Sequence, residues 1–311
     1  MKLLKLIIQK IREILGISSG FAAMNSQLDD VKILTAKIMI NHIKSYGIYE
    51  NIHETEFKVF SQWGTDGIIQ YLINNIEISE KKFIEFGVQY YTESNTRFLL
   101  INNNWKGLVI DGNKENIDYI KKDPIYWRRD LTGVHYFINK DNINNIISDS
   151  NFFGEIGILS IDLDGNDYWI WECINVVDPI IVIIEYNSVF GYKHAITIPY
   201  NPTFDRTKAH YSNLFFGCSL KALCLLAEKK GYIFVGSDSS GNNAFFIRND
   251  KIGNIKSVSI ESGYVKSKFR ESRDIKGQLS YLSSDDRLES IEDMLVYDVE
   301  KNSLIKIKEL Y

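Results

Sequence analysis

Two short segments hold most of the groups that could do chemistry. Asp162-Leu163-Asp164-Gly165-Asn166-Asp167 sets three carboxylates within six residues, and Glu185-Tyr186-Asn187 adds a fourth with an amide. Alternate side chains of an extended strand share a face, so Asp162 and Asp164 are expected on the same side. If the two segments end neighbouring strands, Asp162, Asp164, Glu185 and Asn187 converge on one crevice. Like charges that close raise one another's pKa, and a divalent cation or a proton relieves the repulsion. All-oxygen ligands suit Mg²⁺, Mn²⁺ or Ca²⁺, which makes these four the candidate metal ligands. The same acids could instead cap helix N-termini or hold a cofactor's amino acid part. The opening also matches an EF-hand loop, but Cys173 stands at the twelfth position, where glutamate is needed.

A second set lies in the stretch 188–218, long for a connection and rich in functional side chains. His194 is the candidate general base. Tyr200, Arg206 and His210 are the candidate substrate contacts, with Arg206 and Lys208 suited to the phosphates of an activated substrate. An ordinary surface histidine and a solvated charge pair are the competing readings.

Such residues need a rigid frame. From about residue 60, strand patterns alternate with helical ones, the signature of a parallel α/β sheet. Strands are expected at 83–88, 107–112, 134–138, 156–165, 179–187, 232–239 and 243–249. The runs at 156–163 and 180–184 are apolar without alternation, as for central strands covered on both faces. Ligands of such sheets bind beyond the carboxyl ends of the strands. The first strand ends in Glu85-Phe86-Gly87, and no GxGxxG follows. The second ends in Asp111, an acid placed to accept from both hydroxyls of a ribose. After the third come Asp141 and Asn142, within reach of an adenine edge. The order points to an adenosine-type cofactor without a pyrophosphate clamp.

At these residues a family resemblance appears. FIEFGVQYYTESNT, GLVIDG, LSIDLDGNDYW, IIEYN and KGYIFVGSDSSGNNAFFIRND resemble class I S-adenosylmethionine-dependent methyltransferases. They are most similar to the FkbM-like kind found with bacterial surface-polysaccharide genes. The resemblance runs over roughly 58–285 and includes SQWGTDGII, with Gln62, and FRESRDIKGQLSYLS. It implies an α/β, Rossmann-like, seven-stranded, mostly parallel sheet with an N-terminal helical extension. It also implies S-adenosylmethionine contacts from Gln62, Glu85, Gly87, Thr96, Asp111, Asp141, Asn142 and Asp162. Metal-dependent relatives place a divalent ion, Mg²⁺ or Mn²⁺, between strands four and five. The implied activity is O-methylation of a sugar hydroxyl, on a nucleotide-activated sugar such as a heptose for capsule or lipopolysaccharide; the residues themselves offer Asp164, Glu185 and His194 as the candidate catalytic groups for it. The alternatives are an NAD-dependent sugar oxidoreductase, disfavoured by the missing fingerprint, and a non-catalytic scaffold, disfavoured by the acidic crevice.

The rest of the chain sets the surroundings. Its 311 residues are 45% hydrophobic and 24% charged, with net charge −4, values of a folded protein with no global basic signal for nucleic acid. The 46 Ile and 26 Asn against 4 Pro look like an AT-rich coding background, so Ile and Asn clusters carry no function by themselves. Cys173, Cys218 and Cys224 lack metal spacing and fit a reducing cytoplasm. Residues 1–16 and 25–46 are expected as helices with a break at 17–23. Charges interrupt the first, so neither a signal peptide nor a membrane span is expected, while a helix-mediated homodimer or weak membrane-surface contact is. The expected organisation is a helical extension over 1–57, a methyltransferase domain over 58–255 and a polar C-terminal tail over 256–311 packing on the core.

Overall fold

The computed structural model describes Lys10 and residues 17–268, 270–283 and 285–311. The helix expected over 1–16 otherwise lies outside the described residues. In chain order the strands are β1 (Lys82–Phe86), β2 (Lys106–Asp111), β3 (Leu131–His135), β4 (Gly154–Ile161) and β5 (Val177–Glu185). There follow β6 (Ile196–Thr197), β7 (Tyr232–Ser237), β8 (Asn243–Arg248), β9 (Leu295–Asp298) and β10 (Ser303–Lys306). Seven of them form one sheet in the order β3-β2-β1-β4-β5-β8-β7. β1 to β5 run parallel and β8 runs antiparallel to both its neighbours. The expected Rossmann-like sheet is present.

The apolar runs, broken only by Ser160, explain the centre of this sheet. Leu159 and Ile161 of β4 and Val182 and Ile184 of β5 pack into one core layer, under the helices Asp167–Cys173 and Leu220–Lys230. Ile158, Ile181 and Ile183 face the opposite layer, beneath the helix Thr65–Asn75. Each such side chain removed from water contributes about 1.5–3 kcal/mol, so the two middle strands are the least movable part of the fold.

Three expectations shift. The third strand begins at Leu131, three residues earlier than expected, because Leu131, Thr132 and Gly133 pair with Gly107, Leu108 and Val109 of β2. The break expected at 17–23 is absent: one helix runs Ile17–Tyr46. Its Ala36 and Ile40 pack on Val59, Phe60 and Phe98, and this tertiary burial outweighs the helix cost of Gly20. The tail is more ordered than its weak periodicity suggested. β9 and β10 form a hairpin that adds to β6 in a three-stranded sheet over its own core, which includes Phe190, Ile198, Leu214 and Val296.

Candidate active site

Strand register lines up the site. Phe86 is abreast of Ile110, and Ile161 of Ile184, while Glu85 is abreast of Ser160. One step further along each strand, Asp111, Gly87, Asp162 and Glu185 form a row across the carboxyl edge of the sheet. Asn243 extends the row, being the partner of Glu185 on β8. The whole row follows from pairing of apolar strand interiors, so the core dictates which polar residues meet.

Gly87 is the tightest point. Its φ is +71°, and a Cβ there would lie 1.8 Å from the carbonyl oxygen of Asp162. Only glycine allows β1 and β4 to approach so closely at their ends. A cavity of about 280 Å³ opens beside it, lined by Gly87, Gln89, Asp111, Phe137, Asp162 and Phe204 among others. A smaller adjoining cavity of about 120 Å³ shares Gly87, Gln89 and Asp162 and adds Gln62, Glu85 and Asn243. Together they make a groove over the ends of β2, β1 and β4.

The acids at the groove divide into braces and open groups. Buried Glu85 accepts from Ser94 Oγ at 3.0 Å, from the Asn95 amide at 2.8 Å and from the Thr96 amide at 3.1 Å. It shapes the loop 88–96, and Thr96 is buried with it. Burial lifts its pKa, while the hydroxyl of Thr96 and the loop amides pull it back. Asp167 accepts from the amides of Leu163 and Gly165 at 2.7 and 3.0 Å, fixing the turn after β4. Its pKa is raised to about 6, chiefly by burial. Asp111 accepts from the amides of Gln89 and Asn113 and from Asn116 Nδ2, at 2.7–2.9 Å, and still lines the cavity.

Asp162, Asp164 and Glu185 are the open groups. One carboxylate oxygen from each lies within 4.8 Å of the others. Strand alternation is not what joins Asp162 to Asp164, because β4 stops at Ile161. Asp164 sits in a left-handed turn with φ +52°, and that turn folds its side chain back toward Asp162. Glu185 is buried, and its Oε2 accepts no hydrogen bond among the described residues. Burial, then the charges of Asp162 and Asp164, push the Glu185 carboxyl well above its ordinary range. Asp162 is raised in the same way, by burial and then by Asp164. Arg206 Nη1 pairs with Asp164 at 2.6 Å, its Nε donates to the Asn213 carbonyl, and its guanidinium lies 3.7 Å over the Phe216 ring. The long connection therefore delivers Arg206 to the crevice.

Other expected site residues fall elsewhere. His194 packs edge-on to Tyr311 at 4.8 Å, near Lys221 and Asp298, and lines neither groove cavity. Asn187 donates to the carbonyls of Leu214 and Phe216 and accepts from the Val189 amide, so both ends of its amide hold the chain. Asn142 closes its own loop by accepting from the Asn139 amide and donating to the Phe137 carbonyl. Asp141 is exposed beside it. Tyr200 accepts from the Lys140 amide with its hydroxyl, and His210 meets Ser212 Oγ at 2.8 Å; neither reaches the groove lining. Lys208 pairs with Asp205.

Sequence reasoning missed Phe204, Phe137 and Asn243. Phe204 packs so closely over Gly165 that a Cβ there would lie 2.3 Å from its ring, so the glycine of the acidic run was the available signal. Asn243 is set by buried Asp238, which accepts from the hydroxyl of Ser240, the amides of Gly241, Asn242 and Asn243, and Asn243 Nδ2.

No protein-family model and no curated protein sequence matches this chain. Several solved structures are similar. The N-terminal domain of EvdMO1 with SAH bound is 9% identical at a TM-score of 0.34, over 53% of this chain and 72% of that one. An S-adenosylmethionine-dependent methyltransferase from Clostridium acetobutylicum ATCC 824 is 8% identical at a TM-score of 0.39, over 59% and 90%. A SAM-dependent methyltransferase from Aquifex aeolicus is 10% identical at a TM-score of 0.34, over 67% and 96%.

Proposed function

We propose that this protein transfers a methyl group from S-adenosylmethionine to a sugar hydroxyl, on a nucleotide-activated sugar of surface-polysaccharide synthesis in the cytoplasm. One observation carries the reading. The register row sets a ribose-suited acid, Asp111, two strands from Asp162 and three from Glu185, with a groove over the strand ends. A donor lying from Asp111 across Gly87 presents its reacting end at Asp162. The acceptor then approaches from the β5 side, above Glu185.

An alcohol needs its proton removed as it attacks. The ionised member of the Asp162–Glu185 pair takes up that one proton while the carbon–oxygen bond forms and the carbon–sulfur bond breaks, releasing S-adenosylhomocysteine. Asp164, held by Arg206, fixes the third corner of the trio. His194 packs on Tyr311 and lines neither groove cavity, so we assign the base to the carboxylates. The orphaned Oε2 of Glu185 also fits a divalent cation. Asp162, Asp164 and Glu185 would hold Mg²⁺ or Mn²⁺, which when bound would lower the pKa of an acceptor hydroxyl. Asn187 is left out of this set because its amide already ties Val189, Leu214 and Phe216.

Calorimetric titration with S-adenosylhomocysteine and with NAD tests the donor. One-to-one binding of the first without the second is expected, and Asp111→Ala should weaken it about tenfold or more, the loss of a charged hydrogen-bond acceptor. Binding of NAD alone would favour an oxidoreductase. Methyl transfer to a panel of nucleotide-sugars then identifies the acceptor.

The helix Ile17–Tyr46 supports a homodimer. Met24, Leu28, Val31 and Ile38 are 48–64% exposed on the side away from the core. With Thr35 and His42 they repeat at alternating spacings of four and three, the seam of a two-stranded coiled coil. The flanking Asn25, Gln27, Lys32 and Asn41 carry one charge, so an identical helix meets no large repulsion. A second copy of the chain is the fitting partner. No described helix is long and apolar enough to cross a membrane.

A further inference from the structure

A second cavity lies beyond β5 and shares no lining residue with the groove. It measures about 650 Å³, between the loop 188–193 and the C-terminal segment 264–311. Its deepest charge is positive. Arg287 lines it at only 5% exposure, with Nη1 donating to Ser267 Oγ at 2.6 Å. Lys193 and Lys266 stand around it with Tyr192 and Tyr264. Asp285, Glu289 and Glu292 also line it; these acids and the two lysines are all exposed, with Lys266 Nζ 3.5 Å from Asp285 Oδ1, so the buried charge of the cavity is that of Arg287.

This cavity is fastened to the acidic crevice. The Tyr264 hydroxyl donates to the Ser188 carbonyl at 2.7 Å, and the Ser267 amide donates to Ser188 Oγ at 3.0 Å. Ser188 stands three residues past Glu185. Arg287 also feels Arg206, the partner of Asp164: burial pushes its pKa down, and the positive charge of Arg206 pushes it further. A guanidinium fork matches phosphate oxygens, and tyrosine rings suit the flat face of a sugar or a base. Since the donor groove covers β2, β1 and β4, an acceptor reaches the trio from the side of β5, where this cavity is.

We infer that the cavity is the anion subsite of the acceptor, holding the diphosphate of a glycosyl nucleotide on Arg287, Lys266 and Lys193, with Tyr192 and Tyr264 against its ring. The word acceptor rests on the methyl-transfer reading; the binding of phosphate does not.

The test is calorimetry on the full chain with inorganic pyrophosphate, UDP and GDP, and separately with S-adenosylhomocysteine. Three proteins are compared: the unaltered chain, Arg287→Gln, and a double variant Lys193→Glu with Lys266→Glu on the exposed rim. A nucleoside diphosphate is expected to bind more tightly than pyrophosphate. The rim variant should bind it roughly tenfold or more weakly, the loss of charge-assisted contacts, with S-adenosylhomocysteine affinity unchanged. Arg287→Gln should do the same if circular dichroism shows it folded; the rim variant decides if it does not. No phosphate ligand binding at millimolar concentration, or a rim variant with unaltered affinity, overturns the inference. Loss of S-adenosylhomocysteine binding in the unaltered chain would instead count against the methyl-transfer reading alone.

Discussion

At the residue scale, Glu185 is the most telling group. A carboxylate removed from water with one oxygen unsatisfied opposes folding, so the site holds stability in reserve for a ligand. Glu185→Gln should therefore raise the thermal midpoint, by about 1–2 kcal/mol of added stability, while abolishing methyl transfer; a lower midpoint would mean the charge is already compensated. Asp164→Asn should sharply reduce turnover and uptake of Mn²⁺, with S-adenosylhomocysteine binding nearly intact, because Asp164 lines the larger cavity only as an exposed side chain held by Arg206. Normal turnover in that variant would remove Asp164 from the mechanism. Gly87→Ala meets a backbone oxygen at 1.8 Å in a left-handed conformation. A loss of several kcal/mol, about 3 or more, is expected from the two penalties, read by chemical denaturation. The sequence already showed these residue types at strand ends. It did not show that a turn at Asp164, instead of strand alternation, closes the trio.

At the element scale, apolar runs were the legible part. β4 and β5 read as buried strands because their middles are apolar apart from Ser160, and their register then fixes the row from Asp111 to Glu185. β3 was read late because Thr132 and Gly133 dilute its apolar pattern, and only pairing with β2 reveals them as strand. The connection 188–218 stood out as long and rich in polar side chains, but not which of them arrive at the crevice: Arg206 does, whereas His194, Tyr200 and His210 line neither groove cavity. One loop shows how elements support the groove. Buried Asp66, at the start of the helix Thr65–Asn75, accepts from the amides of Val59, Phe60 and Ser61 at 2.7–2.8 Å. That gathers the segment carrying Gln62 over the smaller cavity. Asp66→Ala should cost about 2–4 kcal/mol, since it orphans three buried amides at once, and should weaken S-adenosylhomocysteine binding as the Gln62 segment loosens. Unchanged affinity would show that Gln62 is not part of the donor site.

At the scale of the whole molecule, the chain is a central sheet flanked by a long N-terminal helix and a small C-terminal sheet. The tail was unreadable in sequence because its strands are short and mixed, and they gain order by adding to β6. The exposed seam on the helix Ile17–Tyr46 predicts a dimer: light scattering should give twice the chain mass, and a Leu28→Lys, Ile38→Lys variant should give the chain mass with its fold retained. A monomeric unaltered chain would refute the pairing. The same helix has a practical consequence for anyone trimming the protein. Starting the chain at residue 47 would remove the sticky seam, yet strip the cover from Val59, Phe60 and Phe98, exchanging one greasy surface for another. The seam is better quieted by lysines than by scissors.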